Sequence, residues 1–441
     1  MAAALRAEMD LVTLKTEALA HQSRLYESRL FRVRVTGTPL ERHQAFGRAV
    51  GRQLEAQPYD VVHVRGPFSG EVVAERRGDL SFRFVYEVAT YPDEAESVDA
   101  ERLWDAAHGR CLEAADLILV PTEAAARALG EEGHGGKVAV VHPGVDVNAF
   151  DWWPSYPDEV ARLLYLGKFS ADRDLSTALA AVRTLAQERP VRALFAGEER
   201  HEARDKLRRI VRAFGLEDVV QVRAEPLAVH IPALIAGADV ALVPAAAAPR
   251  FRRHGDLPEP LLEYMACRRP MVVAGVPGIT DFVHDGQEGV LYEPADDASL
   301  AEGIRRLLDE PELSSRVIDA AYEQARWRYS GSARRRRIAE VYEMLVPGSQ
   351  SYDAWDEAFE AEPTGLIELP SSLVPLTREP TTSSGEVEAL ERPATQPAAL
   401  APPDTNPSIA GSDTHAGGTE IPPSPTHVDP LAIPPDTDPG R

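Results

Sequence analysis

The residue types that could do chemistry in this chain gather at a few turns. Gly167 and Lys168 follow an apolar run, RLLYL, and Arg173 stands five residues after Lys168 at the start of a helical pattern. The carboxyl end of a strand, a helix N-terminus and two cations converging on one small volume suit an anion, phosphate above all. Residues 195–200, FAGEER, set a second turn, Gly197-Glu198, at the same expected sheet edge. The stretch 255–283, GDLPEPLLEYMACRRPMVVAGVPGITDFV, reads as a loop, a helix, a short strand and a Gly/Pro turn. Pro258 and Pro260 suit the first turn of that helix, where a missing N–H costs nothing, and Arg268 and Arg269 suit its end. Glu263 is a lone carboxylate among apolar neighbours, and beside bound phosphate it could accept ribose hydroxyls. Each of these also has a plain reading: Lys168 and Arg173 as solvated charges, Glu263 as the outer face of an ordinary αβ unit.

The elements that must position these residues alternate between strand and helix. Continuous apolar runs such as 59–66, 82–89 and 117–121 lie between helical patterns at 40–56, 69–77 and 96–115, which predicts a parallel sheet covered on both faces. The pattern restarts at 162 after the Pro- and Trp-bearing segment DWWPSYP and runs to about 346, giving two halves of one architecture. The first half opens at 1–8 on what reads as the last turns of a helix. A doubly wound domain normally opens on a central strand with a Gly-rich turn. The expectation is therefore an N-terminal domain lacking its first strand, with two neighbouring strands left with open edges; either the natural chain begins earlier or this half is remodelled.

Composition excludes several classes. The net charge is −23, of which residues 351–441 supply −13 from 16 acids against 3 Arg, so no basic face for nucleic acid is expected. No run of about 18 apolar residues exists, and the first residues lack the basic and apolar regions of a signal peptide. Two cysteines, Cys111 and Cys267, argue against a disulfide framework. These features predict a cytoplasmic protein. The basic helix 203–214 and the Arg run 334–337 would allow weak peripheral contact with anionic lipid at the inner face of the membrane, although a solvated helical face explains them as well. His63, His142, His230, His254 and His284 show no metal-ligand spacing. Arg250, Arg252, Arg253 and His254 read as a charged loop before the 255–283 stretch, with phosphate contact or plain solvation equally open. Beyond Pro347 the chain is rich in Pro, Ser, Thr and acids and is expected to be disordered.

From about Tyr59 to Leu345 the chain resembles the retaining family-4 glycosyltransferases, glycosyl transferases group 1. HPGVDVNAF (142–150), YLGKFSADRDLSTALAA (165–181), FAGEE, ADVALVP and the LPEPLLEYMACRRP region occur in that family's order, followed by RWRYS (326–330) and VYEML (341–345). The resemblance implies a GT-B fold: two Rossmann-like domains facing across a cleft, at 1–150 (acceptor side) and 151–330 (nucleotide sugar), a helix 331–347 returning to the first domain, and a tail 348–441. It implies donor binding by Gly167, Lys168, Arg173, Gly197, Glu198, Leu262 and Glu263, with Lys168 and Arg173 stabilising the leaving diphosphate and main-chain N–H groups around 257–261 facing phosphate. Two departures stand out. Gly255 occupies a position where the family often has a carboxylate against the donor sugar, leaving Gly255 or its neighbour Asp256 as the sugar contact. FVYEVATYPDE (84–94) also lacks the histidine often found near the cleft. The implied activity is retaining, metal-independent transfer from a nucleotide diphosphate sugar to a glycan, lipid-linked or small-molecule acceptor, without a cofactor. The alternative is a catalytically silent relative that binds a sugar nucleotide or serves as a scaffold.

Overall fold

The computed structural model describes residues 9–14, 28–88, 98–150, 159–197, 200–224, 226, 228–252 and 254–345. The expected helix at 1–8, the DWWPSYP link and the acidic tail lie outside the described residues.

Among the described residues, the first half contains two parallel sheets. Strands β1 (Met9–Leu14) and β2 (Ser28–Val33) pair with each other, and β3 (Val61–Arg65), β4 (Arg83–Glu87), β5 (Leu117–Val120) and β6 (Val138–Val140) form a sheet in that order. Among the described strands β1 pairs only with β2 and β3 only with β4, so each leaves one edge without a strand partner. Side chains fasten the two pieces together: Asp10 on β1 accepts hydrogen bonds from Tyr59 Oη at 2.5 Å and Gln57 Nε2 at 2.6 Å, both just before β3. Among the described residues, the helices that join these strands are α1 (Pro39–Ala56), α2 (Pro67–Arg76), α3 (Val98–Ala114) and α4 (Glu123–Glu131). The first is opened by a reciprocal Thr38–Glu41 capping box, which satisfies two otherwise orphaned N–H groups.

The second half is one six-stranded parallel sheet of order β12-β11-β10-β7-β8-β9. Its strands are β7 (Ala161–Leu166), β8 (Val191–Ala196), β9 (Val220–Val222), β10 (Val240–Val243), β11 (Met271–Ala274) and β12 (Val290–Tyr292), joined by α5 (Leu175–Glu188), α6 (His201–Ala213), α7 (Ile231–Ala236), α8 (Pro249–Arg252), α9 (Pro260–Ala266) and α10 (Asp297–Asp309). Every residue of β7, β10 and β11 is buried, as sandwiching between helical layers requires. The chain leaves β7 in one direction for β8 and later returns on its other side as β10. The C-terminal end of β7 is therefore the topological switch point, where open α/β sheets bind ligands.

Helix α11 (Pro311–Trp327) completes this half, and α12 (Gly331–Leu345) leaves it. Ile338, Val341 and Tyr342 of α12 pack on Val85, Leu119 and Ala139 of the first sheet. The two crossings lie side by side: Val145 N–H donates to the Tyr329 carbonyl at 2.8 Å, and the Val145 carbonyl accepts from Gly331 N–H at 3.0 Å.

Two local expectations are corrected. The segment before the 255–283 stretch contains the short helix α8 where an open loop is expected. Helix α9 starts at Pro260 and is capped by Cys267. Arg268 then turns left-handed (φ 51°) and Arg269 is buried, so the latter is a core residue and not a solvated charge at the helix end.

Candidate functional site

A cleft of about 630 Å³ runs between the C-terminal ends of the β3–β6 sheet and the six-stranded sheet, and the Gly167–Arg173 turn lies in its second-half wall. Gly167 (φ 139°) and Gly197 (φ 123°) sit back to back there. A Cβ at Gly197 would lie 2.6 Å from the Gly167 nitrogen, so this approach of the β7 and β8 turns needs a glycine at 197. Lys168 is exposed to the cleft, and its carbonyl accepts the Tyr165 hydroxyl at 2.5 Å. Arg173 ends a 3-10 turn, Ala171–Arg173, and is only 8 % exposed. Its guanidinium lies 5.4 Å from the Phe251 ring centroid, and its Nε and Nη1 have no hydrogen-bond partner among the described residues. A buried guanidinium left this way is costly unless an anion completes it.

Helix α9 forms the facing part of the same wall. Glu263 lines the cleft half-buried, and burial, with the nearby Glu259 charge, raises its carboxyl pKa to about 7. At neutral pH it can therefore both accept and donate hydrogen bonds. The structure brings Gly167, Lys168, Arg173, Gly197 and Glu263 to one cleft, while Glu198 lies outside the described residues. The expectation for Leu262 is corrected: its side chain is 3 % exposed and belongs to the apolar core, pointing away from the cleft lined by its neighbours Leu261 and Glu263.

Of the two expected sugar contacts, Gly255 is corrected. Gly255 (φ 56°) packs against the first half, and a Cβ there would lie 2.6 Å from Ala125 N and 2.8 Å from Thr122 Oγ1. No side chain fits at 255, so no carboxylate can reach the cleft from it. Asp256 does line the cleft, but its carboxylate is engaged by the Arg250 Nε, whose Nη1 also lies 3.3 Å from the buried Asp172. Arg250 thus braces the turn that carries Arg173, a place that its loop-like sequence context does not disclose.

The first-half wall is built from residues that sequence reasoning missed. Glu87, at the end of β4, receives Arg334 Nη2 at 2.8 Å, His63 Nε2 at 3.0 Å and Arg65 Nε at 3.2 Å. Burial alone would raise its pKa, but the His63 hydrogen bond and the Arg334 and Arg65 charges hold it down at about 2. Arg334 comes from α12 and also donates to the His142 carbonyl at 2.9 Å. One member of the Arg run is therefore a cleft residue and not part of a solvated face. The spacing of Glu87 and Arg334, 247 residues apart, carries no local signal. His63 is held between Glu87 and Tyr342 Oη (2.7 Å), and no cluster able to hold a metal ion occurs among the described residues.

Two parallel α/β lobes facing across such a cleft define the GT-B class. Family models agree: "Glycosyl transferase 4-like domain" matches residues 1–144 and "Glycosyl transferases group 1" matches 154–324. Together they take in most of the chain, which belongs to the family-4-like glycosyltransferases of GT-B fold. Among curated relatives, an alpha-D-kanosaminyltransferase of Streptomyces kanamyceticus is 28% identical over 42% of this chain and 46% of that enzyme, so the chain spans under half of its length. A D-inositol 3-phosphate glycosyltransferase of Nocardioides sp. is 27% identical over 67% of this chain and 70% of that protein. Two solved structures share the fold. Sucrose-phosphate synthase from Thermosynechococcus elongatus has a TM-score of 0.64, 20% identity and coverage of 78% of this chain and 90% of its own. Anabaena Alr3699/HepE in complex with UDP and glucose has a TM-score of 0.63, 18% identity and coverage of 76% and 91%.

Proposed function

We propose that the chain transfers a sugar from a nucleotide diphosphate sugar to a hydroxyl acceptor with retention of configuration, without a metal or cofactor. The observation that carries this reading is the buried Arg173 guanidinium, two of whose nitrogens have no hydrogen-bond partner among the described residues, in one cleft with Lys168, the Gly167/Gly197 turns and Glu263. A diphosphate would complete Arg173, and ribose hydroxyls would meet Glu263. In the transition state, charge grows on the leaving phosphate, and Arg173 and Lys168 stand where they would stabilise it. The acceptor would approach from the Arg65, Glu87 and Arg334 side. The leaving diphosphate oxygen itself would take the acceptor proton, so no dedicated base is required. The UDP in the Anabaena complex makes a UDP-sugar the first probe. No helix among the described residues is long and apolar enough to cross a membrane, which supports a cytoplasmic setting with at most peripheral contact at its inner face. The acceptor class, whether glycan, lipid-linked or small molecule, is to be read from activity.

The test is calorimetric titration with UDP- and GDP-sugars, followed by product NMR of the anomeric proton in EDTA. Absence of binding to every sugar nucleotide, or an inverted product, overturns the reading. A silent sugar-nucleotide binder is the second reading. It is favoured by the lack of a side chain at Gly255 and by the pairing of Asp256 with Arg250. Donor binding with neither hydrolysis nor transfer would establish it.

A further inference from the structure

Helix α9 and the phosphate-side turn are joined by a residue that neither composition nor motif singles out. Tyr264 follows Glu263 directly, and its side chain is fully buried in the second-half core. Its hydroxyl oxygen accepts the Leu166 N–H at 2.9 Å. Leu166 is the last residue of β7 and directly precedes Gly167 and Lys168. One side chain thus links, through one peptide on each side, the carboxylate of Glu263 to the turn carrying the cleft cation. A second tyrosine holds that turn from beneath: Tyr165, 2 % exposed, donates to the Lys168 carbonyl at 2.5 Å. Burial raises the Tyr264 pKa well above its ordinary value, so the hydroxyl stays neutral.

We infer that Tyr264 is a positioning residue that fixes the distance between Glu263 and the Gly167–Lys168 turn, so that one ligand can engage both. The inference rests on the sugar-nucleotide reading of the cleft and deepens it. The chemistry that recognises such a ruler is a nucleoside carrying a diphosphate: its ribose would lie at Glu263 and its phosphates at Lys168 and Arg173. A ligand with the ribose alone would not sense the spacing. Buried side chains that lock such turns matter because small misplacements of binding groups have large effects.

The experiment compares full-length wild type with Tyr264→Phe, which keeps the ring and removes only the hydroxyl. Affinities for UDP-glucose, UDP and uridine are measured by calorimetry and ligand-observed NMR. The expected result is roughly tenfold weaker UDP and UDP-glucose binding, with uridine changed by less than about twofold. Tyr165→Phe, which releases the same turn from its other side, is expected to show the same split. In a Lys168→Ala background, Tyr264→Phe is expected to cost less than about twofold, because the turn it positions has lost its cation. Equal losses for uridine and UDP, unchanged UDP binding, or multiplicative losses in the double variant would each overturn the inference. If wild type binds no UDP- or GDP-sugar, the sugar-nucleotide reading falls and this inference with it. Binding by wild type with no split in Tyr264→Phe would remove the inference alone.

Discussion

The Thr122 hydroxyl donates to the Gly255 carbonyl at 2.6 Å, joining the start of α4 in the first half to the loop before α9 in the second. The same hydroxyl oxygen accepts the Ala125 N–H at 3.0 Å as the N-cap of α4. Asp281, from the turn after β11, accepts the Ala124 N–H at 2.7 Å and lies 3.3 Å from Arg127. The N-terminus of a helix in one half is therefore capped partly by a carboxylate of the other. The position where a sugar-facing carboxylate is expected serves this contact instead.

Gly255→Ala is expected to destabilise the protein by about 2–4 kcal/mol, combining a left-handed backbone cost with overpacking. The added Cβ meets Ala125 N and Thr122 Oγ1 under 3 Å, and neither is the far end of a flexible side chain. Urea denaturation measures the loss. A neutral substitution would mean that the two halves part readily at this contact.

Asp281→Ala removes one cap and one interlobe ion pair. Cap deletions cost about 0.5–2 kcal/mol, and the Arg127 side of the pair is exposed and adds little. The stability loss should therefore be near 1 kcal/mol, and Asp281→Asn should recover much of it because an amide oxygen can still cap Ala124. Chemical denaturation of the two variants side by side checks the order.

Arg173→Leu separates binding from stability. The wild-type side chain is buried with two nitrogens lacking hydrogen-bond partners among the described residues. Replacing it should leave the ligand-free protein at least as stable, while weakening UDP-sugar binding by tenfold or more, in line with about 1.5–3 kcal/mol for a charge-assisted hydrogen bond. Thermal shifts without and with ligand give both numbers. A large stability loss without ligand would show that Arg173 is structural.

Much of the frame is legible in the chain. Largely apolar strands at 117–120, 161–166 and 271–274 need burial on both faces, and that calls for parallel sheets under helices. The cleft turn at Gly167, Lys168 and Arg173 is equally legible, because a strand, a glycine and two cations lie within eight residues. What resists reading is set by long-range contacts. Leu262 and Glu263 are adjacent on α9, and only the helix's rotation decides that one meets the core and the other the cleft. Glu87 and Arg334 meet because α12 returns to the first sheet, and Gly255 is explained by a helix more than 120 residues earlier in the chain. Local pattern cannot encode any of these.

Glu263 makes the pH dependence specific. With its carboxyl raised from 4.5 to about 7, the folded protein holds a proton there that the unfolded chain has lost, so stability falls as pH rises through that window. Glu263→Gln removes this decline. Ligand binding runs the other way. Ribose hydroxyls donate best to the ionised carboxylate, so affinity for a UDP-sugar should rise as pH increases through about 7, with proton release on binding. A UDP-sugar is the right probe, because its doubly esterified diphosphate does not titrate near neutrality and cannot mimic the effect. Calorimetry in buffers of different ionisation enthalpy, from pH 5.5 to 8.5, reads both affinity and proton release. Wild type should bind several-fold more tightly at pH 8 than at pH 6, and Glu263→Gln should bind weakly and without slope. A wild-type profile flat across this range would remove Glu263 from the ribose and leave Arg173 and Lys168 to account for donor binding.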